Sequence, residues 1–408
     1  MKKVVRIIGR MNGGGPARQV AYLHHALRNS CETVLLIGTV DEGEQDMRYL
    51  LKDTTGVIEI PSMSRSVKAL SDLISLIKIT RILLREKPDI VHTHTAKAGV
   101  LGRVAARIAR VPVTVHTYHG NVFQGYFSER ASRLIVAIER ALNRITTRVV
   151  AVSETQAEEL IAKFNVARHD QVVIVRNGFD LKGLAACSEL RQAARRKWNF
   201  RDEDFVVVWA GRLAAIKNVP LLLEVAHKSA HIASAKFLVV GDGPFRTDIE
   251  ALSGSLPNFR FIGWQNDMLP IWAAADMALL TSRNEGTPTS LIEASAAGKP
   301  FVSTEVGGVL DLVKGPLKES SDSCKQAANG FLCSANPEVL AGCIEKLATS
   351  PALAEQMGTE GRGFAFANYD QGRLAFEMND LYETLLKRAR IPAQAQSLAN
   401  PVGRSANN

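Results

Sequence analysis

The chain lacks any apolar run approaching the ~20 residues that a membrane-spanning helix needs, and its five cysteines (Cys31, Cys187, Cys324, Cys333, Cys343) contain no CxxC pair. The first absence excludes a helical integral membrane protein. The second argues against a zinc site or a disulfide framework and for a reduced, cytoplasmic setting. Charges break the short apolar run at Met1–Arg10, so it is expected to be a first strand and not a signal peptide. Aromatics make up only 6% of residues, with no aromatic-rich basic stretch and no reader motif, and nucleic acid is not expected as a partner. No metal-ligand cluster stands out. Asp202-Glu203-Asp204 has the look of an acidic metal motif, but it precedes a strand and reads as a solvated turn. Neither glycine-rich turn completes G-x-G-x-x-G, which disfavours a nicotinamide-dependent dehydrogenase.

What is present is a 408-residue chain, 46% hydrophobic and 22% charged, long enough for two domains with cores of their own. The net charge of +9 is unevenly placed. Residues 1–200 hold 31 Lys and Arg against 18 Asp and Glu, and residues 201–408 hold 19 against 23. A basic half beside a mildly acidic half suggests that one domain faces an anionic partner, such as a membrane surface or a phosphorylated acceptor.

Short apolar strands alternate with helical patterns throughout. Val4–Ile8, Val34–Ile37, Ile90–His94, Val113–Thr117, Val149–Val152 and Val172–Val175 read as strands, with Pro16–Arg28, Val67–Glu86, Ala98–Arg110 and Ser128–Arg144 as helices between them. After residue 200 the alternation resumes at Phe205–Ala210, Lys236–Gly241, Phe259–Gly263, Met277–Thr281 and Phe301–Thr304. The pattern predicts an α/β protein of two doubly wound, Rossmann-like domains facing a cleft. The expected division is 1–180, 181–370 and a helix at 371–388, with a disordered polar tail at 389–408.

Ligands in such folds lie at the carboxyl ends of strands, and several motifs fall there. Gly13-Gly14-Gly15-Pro16 opens a helix, where it is either a flexible turn or an anion cradle. His119-Gly120 follows the Val113 strand; a histidine there can donate to a sugar hydroxyl or move a proton, whereas His92 and His94 read as strand-edge packing. Gly211-Arg212-Leu213 with Lys217-Asn218 offers two cations to a departing diphosphate. Gly241-Asp242-Gly243-Pro244 and Phe261-Ile262-Gly263-Trp264 close two further strands. Finally, Glu285 precedes and Glu293 lies inside a helix expected to start with Thr287 as N-cap and Pro288 at its first position, and to end at Gly298. The N–H groups near Thr289, Ser290 and Leu291 would then face an anion.

Taken in order, these motifs resemble those of the retaining glycosyltransferases of family 4, which have the GT-B fold. The resemblance spans roughly residues 1–388 and also includes Asn177-Gly178-Phe179-Asp180. It implies a hexose moved from a nucleotide-diphosphate sugar, expected to be a UDP-sugar, to a hydroxyl of a saccharide or polyprenyl-diphosphate-linked acceptor. By resemblance His119, Arg212, Lys217 and Glu285 are the catalytic set, while Gly14, Gly15, Gly211, Gly243, Thr289, Ser290, Leu291 and Glu293 hold the donor. Arg212 and Lys217 would take the diphosphate, Glu293 the ribose, and Glu285 and His119 the donor sugar. No cofactor or metal is expected, since the departing phosphate can serve as base. Phe364–Arg388 resembles the family's final helix, which crosses back to the first domain.

Where the family often has Gly-Phe-Gly-Leu after Glu285, this chain has Gly286-Thr287-Pro288-Thr289, as in enzymes that build bacterial surface polysaccharides. In the basic half, Leu134, Ile135, Ile138, Ala141, Leu142 and Ile145 form a stripe flanked by Arg130, Arg133, Arg140, Arg144 and Arg148, and Arg103, Arg107 and Arg110 recur at helical spacing. These are expected either to pack on the sheet or to dock the protein peripherally on the anionic inner face of the plasma membrane. A nucleotide-sugar epimerase, a phosphorylase and a non-catalytic regulator on the same architecture are the alternatives.

Overall fold

A computed structural model describes residues 1–390 except 42, 43, 45, 52, 65, 121–128 and 322. The tail 391–408, expected to be disordered, lies outside the described residues, as do Asn121 and Ser128. The strands of the first half are β1 (Lys2–Ile8), β2 (Cys31–Gly38), β3 (Val57–Ile60), β4 (Ile90–His94), β5 (Val113–Tyr118), β6 (Arg148–Ala151) and β7 (Val172–Ile174). Its helices are α1 (Gly15–Ala26), α2 (Ala69–Glu86), α3 (Ala96–Ile108), α4 (Glu129–Asn143) and α5 (Glu154–Glu158). The second half has β8 (Phe205–Ala210), β9 (Ala235–Val240), β10 (Phe259–Phe261), β11 (Met277–Leu280), β12 (Phe301–Thr304), β13 (Lys318–Ser321), β14 (Cys324–Gln326) and β15 (Gly330–Cys333). Its helices are α6 (Cys187–Lys197), α7 (Val219–Lys228), α8 (Arg246–Ser255), α9 (Leu269–Ala274), α10 (Thr289–Ala296), α11 (Pro337–Ala348), α12 (Pro351–Tyr369) and α13 (Gln371–Arg390).

Contacts group the chain into two units. Among the described residues the first holds 1–152, 157–175 and 372–390, and the second holds 153–156 and 176–371. The switch at residues 175 and 176 comes a few positions ahead of the division drawn at 180 because Phe179 is tied into the second unit, where its N–H donates to Tyr369 O at 2.8 Å.

The first unit carries a sheet in the order β3-β2-β1-β4-β5-β6-β7, all parallel. Val4, Val5, Ile7 and Ile8 are buried on both faces of β1, which is why the strand reads as an apolar run interrupted only by the buried Arg6. Val4 faces a cluster with Ile90, Val113, Leu374, Met378 and Tyr382, so α13 is part of this unit's core. β3 went unforeseen, since exposed Glu59 breaks the apolar run of Val57–Ile60. The final helix is also shorter than the Phe364–Arg388 run suggested. The backbone breaks at Asp370, which is extended (φ −66°, ψ 139°) and bridges Phe179, separating α12 from α13.

The second unit has the order β10-β9-β8-β11-β12-β15-β14-β13. β8 to β12 and β15 are parallel, and β13 and β14 add an antiparallel edge. That edge had no sequence signal, because Lys318–Ser321 is polar and exposed throughout. Side chains alternate between two cores, with Val206 and Val208 on the face of α10 and Val207 and Trp209 on the face of α11. Asp202-Glu203-Asp204 is a turn, as expected, but only Asp202 and Glu203 are solvated: Asp204 is buried and its Oδ2 accepts from Arg201 N–H at 2.8 Å. Among the described residues no helix is long and apolar enough to cross a membrane.

Candidate active site

In each sheet the strand order reverses beside the unit's first strand, between β1 and β4 and between β8 and β11. The loops leaving the carboxyl ends of such a pair diverge to opposite faces and leave a crevice there. In the second unit the two loops carry Gly211–Asn218 and Thr281–Pro288.

They meet through one ion pair. Lys217 Nζ donates to Glu285 Oε1 at 2.5 Å, and Ser282 Oγ donates to the same oxygen at 2.5 Å. The pair is only 20% and 9% exposed at its side chains, so it is shielded from water more than a surface bridge is. The backbone beneath is braced as well. Trp209 Nε1 donates to Thr281 Oγ1 (3.1 Å), Thr281 Oγ1 donates to Lys217 O (2.9 Å), and Thr304 Oγ1 donates to Ser282 O (2.7 Å). Arg212 is exposed, with no ion pair or side-chain hydrogen bond among the described residues.

Gly307 and Gly308, after β12, close over the Glu285 loop. Gly308 N–H donates to Glu285 O (2.9 Å), and a Cβ on Gly308 would sit 1.6 Å from Gly286 O. Gly241 is held as tightly: at φ +149° its Cβ would lie 1.8 Å from Gly211 O. Gly211 and Gly243 do not present free donors. Gly211 N–H goes to Val240 O (3.0 Å) and Gly243 N–H to Asp242 Oδ1 (2.8 Å). What Gly211 provides is room, for a Cβ there would touch the Lys217 stem at 3.7 Å. Ile262 and Gly263, beyond β10, line a shallow groove with Arg246, Glu250 and Phe261.

The helix after Glu285 begins later than its sequence suggests. Pro288 is the N-cap, Thr289 is the first helical residue, and Thr287 Oγ1 makes no capping bond. A proline preceded by threonine keeps Thr287 out of the helix, and Pro288 at ψ 96° is itself still extended. Leu291 N–H is consequently occupied by Pro288 O at 3.1 Å. Thr289 and Ser290 retain N–H groups without an acceptor among the described residues, at the positive end of the helix. Gly298, at φ +73°, follows the helix end as expected. Glu293 is half-buried, and Trp272 Nε1 of α9 donates to its Oε2 at 3.0 Å. Trp272 was not foreseen: it lies 21 residues away in an apolar stretch, and only the packing of α9 and α10 in one core brings it near.

In the first unit, the carboxyl ends of β4 and β5 hold a packed group of histidines. His92 is bound at both ring nitrogens, by Tyr382 Oη at 2.6 Å and Thr117 Oγ1 at 2.7 Å, and is structural as expected. His94 Nδ1 lies 3.0 Å from His119 Nε2, with the rings stacked. Burial pushes His119 down to about 4 and holds His92, His94 and His116 well below their usual range, so all four rings are neutral at pH 7. Gly14 N–H is taken by Met47 Sδ (3.4 Å), whereas Gly15 N–H at the start of α1 has no acceptor among the described residues. Thr95, at φ 68° and ψ 158°, occupies a backbone region that β-branched residues rarely enter, and its Oγ1 accepts from Gly9 N–H (3.3 Å) across the β1–β4 reversal.

The arginine rows are corrected here. Arg103 is fully buried, paired with Glu139 at 2.7 Å and with Asn143 at 3.0 Å, and so shares no surface with Arg107 and Arg110. Leu142 is buried under α4, while Leu134 and Ile138 are exposed.

Comparison with known proteins agrees with the fold. Residues 13–182 match the profile of Glycosyltransferase Family 4, and residues 204–350 match that of Glycosyl transferases group 1. An Escherichia coli UDP-Gal:alpha-D-GlcNAc-diphosphoundecaprenol alpha-1,3-galactosyltransferase is 31% identical over 271 residues, covering 65% of this chain and 70% of its own. The Staphylococcus aureus capsular polysaccharide biosynthesis glycosyltransferase CapM is 24% identical over 362 residues, 84% of this chain and 89% of its own. Among solved structures, Anabaena HepE in complex with UDP and glucose superposes with a TM-score of 0.75 at 20% identity, over 94% of this chain and 100% of that one. The chain therefore belongs to glycosyltransferase family 4, with the GT-B fold and the activity of a glycosyltransferase.

Proposed function

We propose that this glycosyltransferase moves a hexose, with retention of anomeric configuration, from a UDP-sugar to a hydroxyl of a saccharide carried on a polyprenyl diphosphate, in the building of a bacterial surface polysaccharide. One observation carries the reading: Lys217 and Glu285 meet at the strand-order reversal of the second unit, beside a helix start with two unoccupied N–H groups. The relatives' names add support, since one is a UDP-galactose transferase acting on a lipid diphosphate.

In this reading Thr289 and Ser290 N–H groups, Arg212 and Lys217 take the diphosphate. Charge builds on the leaving phosphate in the transition state, and fixed donors and cations aimed at it lower the barrier. Glu285, its Oε1 held by Lys217 and Ser282, orients the donor sugar, and Glu293, steadied by Trp272, takes the ribose hydroxyls. The acceptor hydroxyl attacks on the face the phosphate leaves, and the departing phosphate oxygen receives its proton. Turnover is expected without added Mg²⁺ or Mn²⁺.

The acceptor side would lie on the basic first unit. On α2, Leu70, Leu73, Ile74, Ile77 and Leu84 are exposed beside Lys78, Arg81 and Arg85. On α4, Leu134 and Ile138 are exposed beside Arg130 and Arg133. Such faces suit peripheral docking on an anionic bilayer, and liposome pelleting that ignores anionic lipid and salt would refute it. The reaction is tested by incubating UDP-galactose and other UDP-hexoses with a GlcNAc-diphosphoprenol acceptor. UDP release that needs the acceptor, with an α-linked product, is expected; an inverted product or turnover with no UDP-hexose overturns the reading.

A further inference from the structure

Three of the five cysteines, although separated by nine and ten residues in sequence, converge in the second unit. Cys324 Sγ lies 3.3 Å from Cys343 Sγ, Cys333 Sγ lies 3.5 Å from Cys324 Sγ, and the Cys333–Cys343 separation is 3.6 Å. Sheet and helix fix this triangle. Cys324 and Cys333 face each other across β14 and β15. The flanking bonds, Ser334 N–H to Ser323 O and Ala327 N–H to Gly330 O, place them at a non-hydrogen-bonded position, where cross-strand side chains come closest. Cys343 comes down from α11, whose start is anchored by Asn336 Oδ1 accepting from Glu338 and Val339 N–H. All three thiols are buried.

We propose that Cys324, Cys333 and Cys343 form a site for one closed-shell thiophilic metal ion, of the class of Zn²⁺ and Cu⁺. Thiolates around such an ion at ~2.3 Å stand about 3.8 Å apart, so a small outward shift of each sulfur seats it. Soft thiolate donors select these ions over Mg²⁺ or Ca²⁺. Among the described residues no His, Asp or Glu joins the group. Three sulfurs alone suit trigonal Cu⁺, and Zn²⁺ would take a further small ligand. Three thiolates carry three negative charges, of which Zn²⁺ balances two and Cu⁺ one, and Lys346, whose ammonium lies over Phe331 at 5.1 Å, adds a nearby positive charge. A cross-strand disulfide explains the site less well, since it would use two sulfurs and leave the third unaccounted for.

The ion would act as a staple. Cys333 and Cys343 belong to the core on the face of α11, whereas Leu291 and Ile292 of α10 belong to the opposite one. Bound there, the ion joins the antiparallel edge to α11 and takes no part in sugar transfer.

The test uses the full-length chain, reduced and stripped of metal under argon. One arm adds Zn²⁺ against a chromogenic chelator, and the other adds Cu⁺ against bicinchoninate. One ion per chain is expected in at least one arm, with a rise in melting temperature. Cys324→Ser, Cys333→Ser and Cys343→Ser should each weaken binding by more than about 100-fold, beyond the loss of an outer-shell partner. Cys31→Ser and Cys187→Ser, remote from the triangle, should bind as the parent does. If a substituted chain fails to fold, the parent loaded with Co²⁺ or with Cu⁺ supplies the readout: a sulfur-to-metal charge-transfer band with either supports the site, and its absence with both counts against it. Failure of both ions to bind tighter than micromolar overturns the proposal, as does a Cys324–Cys333 disulfide in the isolated chain with no metal uptake after reduction. Sugar transfer is not measured, so the outcome is independent of the reaction assigned above.

Discussion

Lys217 Nζ and Ser282 Oγ both donate to a single oxygen of Glu285, joining the loop after β8 to the loop after β11. The cation expected to meet the diphosphate is therefore already paired with the carboxylate expected to meet the sugar. Each holds the other in place, and donor binding would shift part of the Lys217 interaction from carboxylate to phosphate. Lys217→Ala is predicted to lower kcat/KM by about 10²–10³-fold, the scale seen when one transition-state donor is removed. Glu285→Gln should cost less in folding than in turnover, because an amide keeps the shape and still accepts from Lys217. Steady-state kinetics beside a urea titration separate the effects; near-normal kcat/KM in both variants would remove this pair from the site.

Trp272 offers a cleaner probe of the nucleotide binding proposed for Glu293. Trp272→Phe keeps most of the buried ring but deletes the donor to Glu293 Oε2. With one hydrogen bond to a charged group worth about 1.5–3 kcal/mol, KM for the donor should rise by roughly tenfold or more, with kcat nearly unchanged. A fall in kcat at constant KM would place Glu293 on the reacting sugar and not on the ribose.

Gly308→Ala tests the support of Glu285 from behind. The added methyl would meet Gly286 O at 1.6 Å, a backbone atom that cannot step aside. The loop must shift, taking Glu285 with it. Activity is expected to drop by at least about tenfold, as small displacements of positioning groups do, while the second unit stays folded by circular dichroism. Full activity would mean that the loop tolerates displacement and that its closure by Gly308 has no catalytic consequence.

The buried histidines make the first unit acid-sensitive. His24 and His119 are pushed down to about 4 by burial, and His92, His94 and His116 well below 6.5, with Arg6 adding to the burial of His92 and His94. The unfolded chain binds these protons near 6.5 and the folded one does not, so between about 6.5 and 4 stability rises with pH. It is fully present above about 6.5 and is lost as pH falls towards 4. Urea midpoints followed from pH 7.5 to 4.5 should decline through that window; a flat profile would contradict the burial of these rings as neutral groups.

Periodicity alone revealed most of the fold, because parallel strands buried on both faces, such as Phe205–Ala210, are written mainly in apolar residues. The polar strand Lys318–Ser321 gave no such signal, and the hairpin it starts was missed. Motif order located Lys217 and Glu285, since the chain places them at strand ends of the same sheet. It did not reveal Trp272 against Glu293, nor the cysteine triangle, whose members have no metal-type spacing and are joined only by strand register and a helix. The rule that threonine caps and proline follows placed the start of α10 one residue early: Pro288 is still extended there. Arg103 looked like part of a surface row because helical spacing does not reveal which face of α3 meets Glu139.

The order of the two units along the chain bears on how the protein is made. Tyr382 binds His92 across 290 residues of sequence, and Leu374, Met378 and Leu385 fill the same core as Val4 and Ile90. A nascent chain therefore emerges with its first half complete in strands but short of one wall. The second unit, ending at Gln371, has all its parts before the last helix leaves the ribosome. The half synthesised first is the half that finishes last, and a chain truncated after Asp370 would retain the parts of its second unit while leaving an open apolar face on the first.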